Sequence, residues 1–219
     1  MPRALFEKKG NAVWISHLDL MLVFQRAFKR AGLALTHTQG FNPRPSVSIA
    51  LPLSVGIESS CELLDFDLEG EIVSNEEIAQ RLNRALVSGI RVLKVYSDGR
   101  KIKNIGFLDC TLRFEYDSGV PAQASAAIQD LFGREEVVVS KKSKNGVTEQ
   151  NIIPMIRSLQ IAALDGNTLE LRARICCQNP SLNPMQLHAA VAAYLPELMP
   201  DFVKCSRVEV FDLQENIFR

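Results

Sequence analysis

Residues 98–104, DGRKIKN, divide this chain. The stretch is polar, contains Gly99 and has no periodic apolar pattern, so it reads as a connector rather than an element. Working outward from it, the same order of elements appears on both sides. Upstream, IRVLKVYS (90–97) alternates as a strand, and NEEIAQRLNRAL (75–86) is a helix opened by a capping box of Ser74 and Glu77. ELLDFDL (62–68), SVSIALPL (46–53) and LALTHT (33–38) read as strands from alternation and β-branched content. The helix HLDLMLVFQRAFKRA (17–31) starts at Ser16, which pairs with Asp19 in a second capping pattern, and stops at Gly32. Leu18, Met21, Leu22 and Phe28 recur at helical spacing, with Gln25, Arg26, Lys29 and Arg30 supplying the polar side. ALFEKKGNAVWIS (4–16) is strand-like, with a turn at Gly10–Asn11 that splits it into a hairpin.

Downstream the order recurs. FLDCTLRFEY (107–116) is a strand, VPAQASAAIQDLF (120–132) a helix ended by Gly133, and EEVVVS (135–140) a strand before the turn KKSKNG (141–146). SLQIAAL and TLELRARICC form a hairpin across Asp165–Asn167. NPMQLHAAVAAYL (183–195) is capped by Asn183 with Pro184 at its first helical position, and FVKCSRVEVF (202–211) is the last strand. This spells an α+β chain of two tandem ferredoxin-like (split βαβ) domains, 1–97 and 108–219, joined by a linker at 98–107.

The bulk properties exclude several classes. With 219 residues, 47% hydrophobic and no net charge, the chain has the composition of a globular protein with room for two domains. Its longest apolar runs fall well short of the roughly 20 residues a membrane span requires, and the N-terminus lacks the apolar core of a secretory signal, so a cytoplasmic protein is expected. The five cysteines, at 61, 110, 176, 177 and 205, show no C-x-x-C spacing. Neither structural zinc nor an iron–sulfur cluster is expected, and no cofactor is implied. Charge is segregated all the same. Residues 1–50 carry seven Lys/Arg against Glu7 and Asp19, a net of +5, whereas residues 51–90 carry two Arg against eight acids, a net of −6. Such asymmetry suits an anionic ligand or a charged partner.

Two segments carry candidate binding chemistry. THTQGFNPRPSVSIALPLSVG (36–56) places Gln39, Phe41, Asn42 and Arg44 among Gly40, Pro43 and Pro45. The prolines fix their own φ and push Asn42 and Arg44 out of helical space, so the loop is pre-ordered and loses little entropy on binding. Arg44 offers a planar fork to phosphate or carboxylate, and Phe41, if exposed, a face on which a base can stack. The second segment, SHLDL (16–20), sets His17 and Asp19 in the first turn of a helix that also bears Arg26 and Arg30. His17, Asp19, Arg26 and Arg30 would form one side of a groove and Phe41, Asn42 and Arg44 the other. No nucleophile–base–orienter set, glycine-rich phosphate loop or pair of stacking aromatics on a central strand is present. Lys141–Lys144 form a further basic turn able to touch phosphate, and His188 sits on a helix face.

The stretch WISHLDLMLVFQRAFKRAGLALTHTQGFNPRPSVSIALPLSVGIESSCELLDFDL resembles the radical SAM-linked proteins, a bacterial family found beside, or fused to the end of, a radical SAM enzyme. The match is densest at Ser16–Met21, Arg26–Ala27, Arg30–Gly32 and Gly40–Pro45 and is sparse in the second half. The resemblance implies a radical SAM enzyme as partner, which would carry the cluster this chain lacks, and it carries over no reaction. A looser similarity, in element order alone, is to tandem ferredoxin-like RNA-binding proteins of CRISPR repeat processing. Two readings follow. One is a non-catalytic accessory protein working with a radical SAM enzyme and presenting an RNA or ribosome-related substrate to it. The other is a stand-alone RNA-binding protein or metal-independent ribonuclease with His17 as base. Net neutrality and the missing stacking aromatics weigh against generic tight RNA binding.

Overall fold

A computed structural model describes residues 1–70, 73–143 and 146–219, a chain of mixed α and β structure. It divides into two compact units, Met1–Asn104 with Arg219, and Ile105–Phe218.

The first unit contains β1 (Arg3–Lys8), α1 (His17–Arg30), β2 (Val47–Ile49), β3 (Glu58–Phe66), α2 (Asn75–Ala85) and β4 (Ile90–Tyr96). Its strands lie in the order β4-β1-β3-β2, each antiparallel to its neighbour. The start of α1 follows the expected chemistry: Ser16 Oγ accepts from the Asp19 amide at 3.2 Å and donates to the Asp19 carboxylate at 2.7 Å. Its end is a Schellman closure. Gly32 adopts φ +67°, its amide reaches the Lys29 carbonyl, and the Leu33 amide reaches the Phe28 carbonyl. Ser74 caps α2 through the Glu77 amide in the same manner. Leu20, Phe24, Ala27 and Phe28 of α1 are buried against the sheet, with Phe6–Phe24 and Phe28–Phe66 ring contacts at 4.7 and 4.9 Å.

Three local expectations fail here. Leu18 and Leu22, read above as part of the apolar repeat, face solvent at 75% and 45% exposure, because the buried stripe runs through Leu20, Phe24 and Phe28 instead. Residues 33–38 do not form a strand. The Schellman turn redirects the chain so that Leu33 and Leu35 pack under α1, and only single bridges remain, Leu35 to Leu68 and His37 to Pro45. Gly10–Asn11 opens a 3₁₀ turn, Gly10–Trp14, rather than a hairpin. The cause is Lys8, buried at the end of β1, whose ammonium donates to the carbonyls of Val13 (3.3 Å) and Ile15 (2.7 Å) and pulls that segment in.

The second unit contains β5 (Ile105–Glu115), α3 (Ala124–Phe132), β6 (Val138–Ser143), β7 (Gly146–Asn151), β8 (Ile156–Ala163), β9 (Thr168–Cys176), α4 (Met185–Tyr194) and β10 (Phe202–Asp212). Its sheet runs β10-β5-β9-β8, again antiparallel, and β6 and β7 pair as a separate hairpin. Asn183 Oδ1 accepts from the Met185 amide at 2.9 Å, capping α4 with Pro184 in its first turn. Lys141 and Lys142, expected in a turn, continue β6 opposite Thr148 and Val147. Lys144, the other lysine of that basic segment, and Asn145 lie outside the described residues. β5 starts at Ile105, inside the stretch read as linker.

Candidate functional site

The loop after α1 is held by main-chain bonds. Thr36 donates to the Asp67 carbonyl and Ser46 to that of Thr36, while Thr38 donates to the carbonyl of Arg44 at 2.9 Å. The Arg44 amide in turn donates to Thr38 Oγ1 at 3.0 Å. Residues 39–43 project beyond this last rung. Gly40 takes φ +131°, a conformation that side-chain-bearing residues rarely adopt. Phe41 is completely exposed, at 106% of its reference area, and Gln39, Asn42 and Arg44 are exposed as well. An apolar ring left in water on a pre-ordered loop makes no contribution to the fold and is free to stack on a ligand.

Behind the loop, the C-terminal half of α1 and residues 33–45 enclose a cleft of about 480 Å³. Phe28, Leu33, Leu35 and Pro45 make its apolar wall; Gln25, Arg26, Lys29 and His37 bring polar and basic groups to it, with Glu69 the one acid. An apolar floor with several basic groups at its edge suits a planar anionic ligand. Arg30, one turn on, is turned away: its guanidinium donates to the Ala85 carbonyl at 2.6 Å and ties α1 to the end of α2.

The expected groove therefore forms only in part. Arg26 lines the cleft that backs the Phe41–Arg44 loop, but His17 and Asp19 begin α1 while the loop follows its end. Fourteen residues of helix separate those ends by about 20 Å. The expectation that the two segments converge relied on a strand at 33–38 carrying the chain back along the sheet, and that strand is absent. His17 keeps a buried Nδ1 without a hydrogen-bond partner and lies at the opposite end of α1 from the cleft that His37 lines. Lys29, His37 and Glu69 went unassigned in the sequence. Their only signal was position, one helical turn or one loop residue away from groups that were assigned.

Elsewhere, ionisable groups are structural. Burial lowers the pKa of the Lys8 ammonium, with nearby Glu62 opposing the shift. Cys61, Cys110 and Cys205 are buried, and burial pushes the Cys205 thiol up to about 12. His188 is half-buried with its ring 6.1 Å from Phe114, and burial holds its pKa below the usual value. Among the described residues no group of three His, Cys, Asp or Glu is placed to hold a metal ion. No described helix is long and apolar enough to cross a membrane.

The chain of mixed α and β structure carries a cleft edged by basic groups behind an exposed aromatic loop. It belongs to the family described as "Uncharacterized protein conserved in bacteria (DUF2344)", matched over residues 2–184. No curated protein matches it. Among solved structures it is similar to a chain in the crystal structure of a Cbf5-Nop10-Gar1 complex, with a TM-score of 0.50 and 9% identity over 95% of this chain and 48% of that one. A chain of the archaeal box H/ACA sRNP Nop10-Cbf5 complex aligns at TM-score 0.45 and 8% identity, covering 94% of this chain and 46% of that one. This chain thus spans about half the length of these two solved chains, and at such identity the likeness concerns the fold alone.

Proposed function

We propose that this protein is a non-catalytic accessory subunit that holds an RNA or ribosome-related substrate at the Phe41 loop and its cleft, and that it works with a radical SAM enzyme. The observation that carries the reading is Phe41, wholly exposed on a loop whose backbone is hydrogen-bonded into shape. A base stacked on that ring would leave its phosphates toward Arg44, Arg26 and Lys29, and Asn42 and Gln39 would contribute hydrogen bonds to its edge. The radical SAM partner rests on the SHLD and GFNPRP resemblance. Strand order 4-1-3-2 in both units supports a tandem ferredoxin-like plan with domains near 1–97 and 108–219, the β6–β7 hairpin being an insertion in the second. The five cysteines, none of them joined in a disulfide, favour the reducing cytoplasm.

The test is ultraviolet crosslinking in the native cells, followed by purification and mapping of crosslinked peptides. RNA attached to the peptide spanning residues 39–44, with a radical SAM enzyme co-purifying, is the expected result. Absence of crosslinked RNA above background would remove the RNA substrate, and absence of the enzyme would remove the partner.

A further inference from the structure

Glu170 of β9 is buried, at 2% exposure, on the face of its sheet turned away from α4. α4 lies on the other face, where the His188 ring sits 6.1 Å from Phe114. Arg113 stands opposite Glu170 in register and alternates with Phe114, so both charged residues share the open face. Two arginines meet on this one carboxylate. Arg113 Nε donates to Glu170 Oε2 at 2.9 Å, and Arg172 Nε donates to Oε1 at 2.5 Å. Burial would raise the Glu170 pKa, but the two guanidinium groups outweigh it and hold the carboxyl below its usual range. The arginine side chains are themselves 49% and 65% exposed, and among the described residues their Nη1 and Nη2 groups reach no acceptor. Arg174, further along β9, is the contrast: Asp109 takes its Nε and Nη2 and Glu215 its Nη1, which leaves no nitrogen for a ligand.

Two guanidinium forks anchored at Nε, with their outer N–H groups in water, are pre-set to take an oxyanion. Lys204 is exposed opposite Arg113, and with Glu170 and Glu115 as the neighbouring acids the three cations leave an excess of positive charge. Phe202, 58% exposed and opposite Glu115, is diagonal to Arg113 across β10 and β5, about 7–8 Å away. That spacing is close to the one between a phosphate and its own base, which favours a nucleotide over a simple anion. We propose that the open sheet face of the second unit binds a nucleotide of single-stranded RNA, with its phosphate between Arg113 and Arg172 and its base on Phe202. The site rests on the RNA reading above for the kind of strand and on none of the residues of the Phe41 loop.

The test is an anisotropy titration of the whole chain with a labelled oligouridylate across a series of salt concentrations. Arg172→Gln removes one phosphate contact and should flatten the slope of log affinity against log salt by roughly 0.7. Phe202→Ala should weaken binding about 5- to 150-fold with the slope unchanged. Both side chains are largely exposed, so urea midpoints should match wild type. Arg134→Gln, which removes an exposed charge just after α3, should alter neither affinity nor slope. An unchanged slope in Arg172→Gln, an equal change in Arg134→Gln, or wild-type affinity in Phe202→Ala overturns the proposal. So does an acidic peptide that displaces the RNA as well as unlabelled oligouridylate does, or a wild-type chain that does not bind. Phe41→Ala reports on the loop separately: if it alone has no effect, the loop reading fails and this site stands, and if it alone weakens binding, the reverse holds.

Discussion

Replacing Phe41 by alanine, beside the same change at Phe28, separates ligand chemistry from folding within a span of fourteen residues. Phe28 is 1% exposed and its ring meets Phe66 at 4.9 Å, so truncation removes a packed aromatic and leaves a cavity. That costs about 3–5 kcal/mol. Phe41 buries none of its area, so Phe41→Ala should change unfolding free energy by less than about 0.5 kcal/mol. Loss of one base–aromatic stack should instead cost about 1–3 kcal/mol of RNA binding, which is about 5- to 150-fold in affinity. Urea unfolding followed by circular dichroism gives the first quantity, and anisotropy titration with single-stranded RNA, at one stated salt concentration, gives the second. The reasoning is refuted if Phe41→Ala destabilises the protein as Phe28→Ala does, or if RNA affinity is the same with and without the ring.

Three further outcomes are expected. Arg3 is 4% exposed, clasps Asp65 at 2.5 and 3.0 Å and donates to the Arg100 carbonyl at 2.8 Å, so Arg3→Met should cost about 3–5 kcal/mol by leaving a carboxylate uncompensated; unfolding no easier than wild type would count against this. Burial lowers the His188 pKa from 6.5, so the unfolded chain takes up its proton first: the His188 contribution is complete above about pH 6.5 and is lost progressively as pH falls from there toward the lowered folded value. His188→Gln should flatten that part of the stability–pH curve, measured by urea midpoints between pH 5 and 7.5. Cys61, Cys110 and Cys205 should resist a thiol reagent at pH 8 until denaturant is added, with the less buried Cys176 labelled first; early modification of Cys205 by peptide mapping would contradict its burial.

What could be read in advance was what local chemistry dictates. Ser16 with Asp19, Ser74 with Glu77 and Gly32 each fulfil a capping rule that depends on three or four residues, and each is realised. The hairpin at Asp165–Asn167 is equally local: the Asn167 amide donates to the Asp165 carboxylate at 2.8 Å. The misses depend on distant partners. Leu33 and Leu35 have strand-like alternation, but their burial is under a helix, and no long neighbouring strand is there to pair with them. Leu18 and Leu22 have core-like spacing, and only the position of the sheet reveals that Leu20 and Phe24 point inward instead. The loop's pre-ordering was legible from Gly40, Pro43 and Pro45, whereas its distance from His17 depended on one strand that does not form.

The rung between Thr38 and Arg44 has a consequence for how this surface can change over time. The hydrogen bonds that close the loop lie at or before that rung, in backbone groups and one threonine hydroxyl. The five residues beyond it are all exposed. Apart from the conformational demand at Gly40, the tip can therefore be rewritten without disturbing the protein that carries it. A lineage needing a different ligand would exchange the side chains at 39, 41 and 42 and leave the anchoring pair untouched, much as a tool takes a new bit in the same chuck.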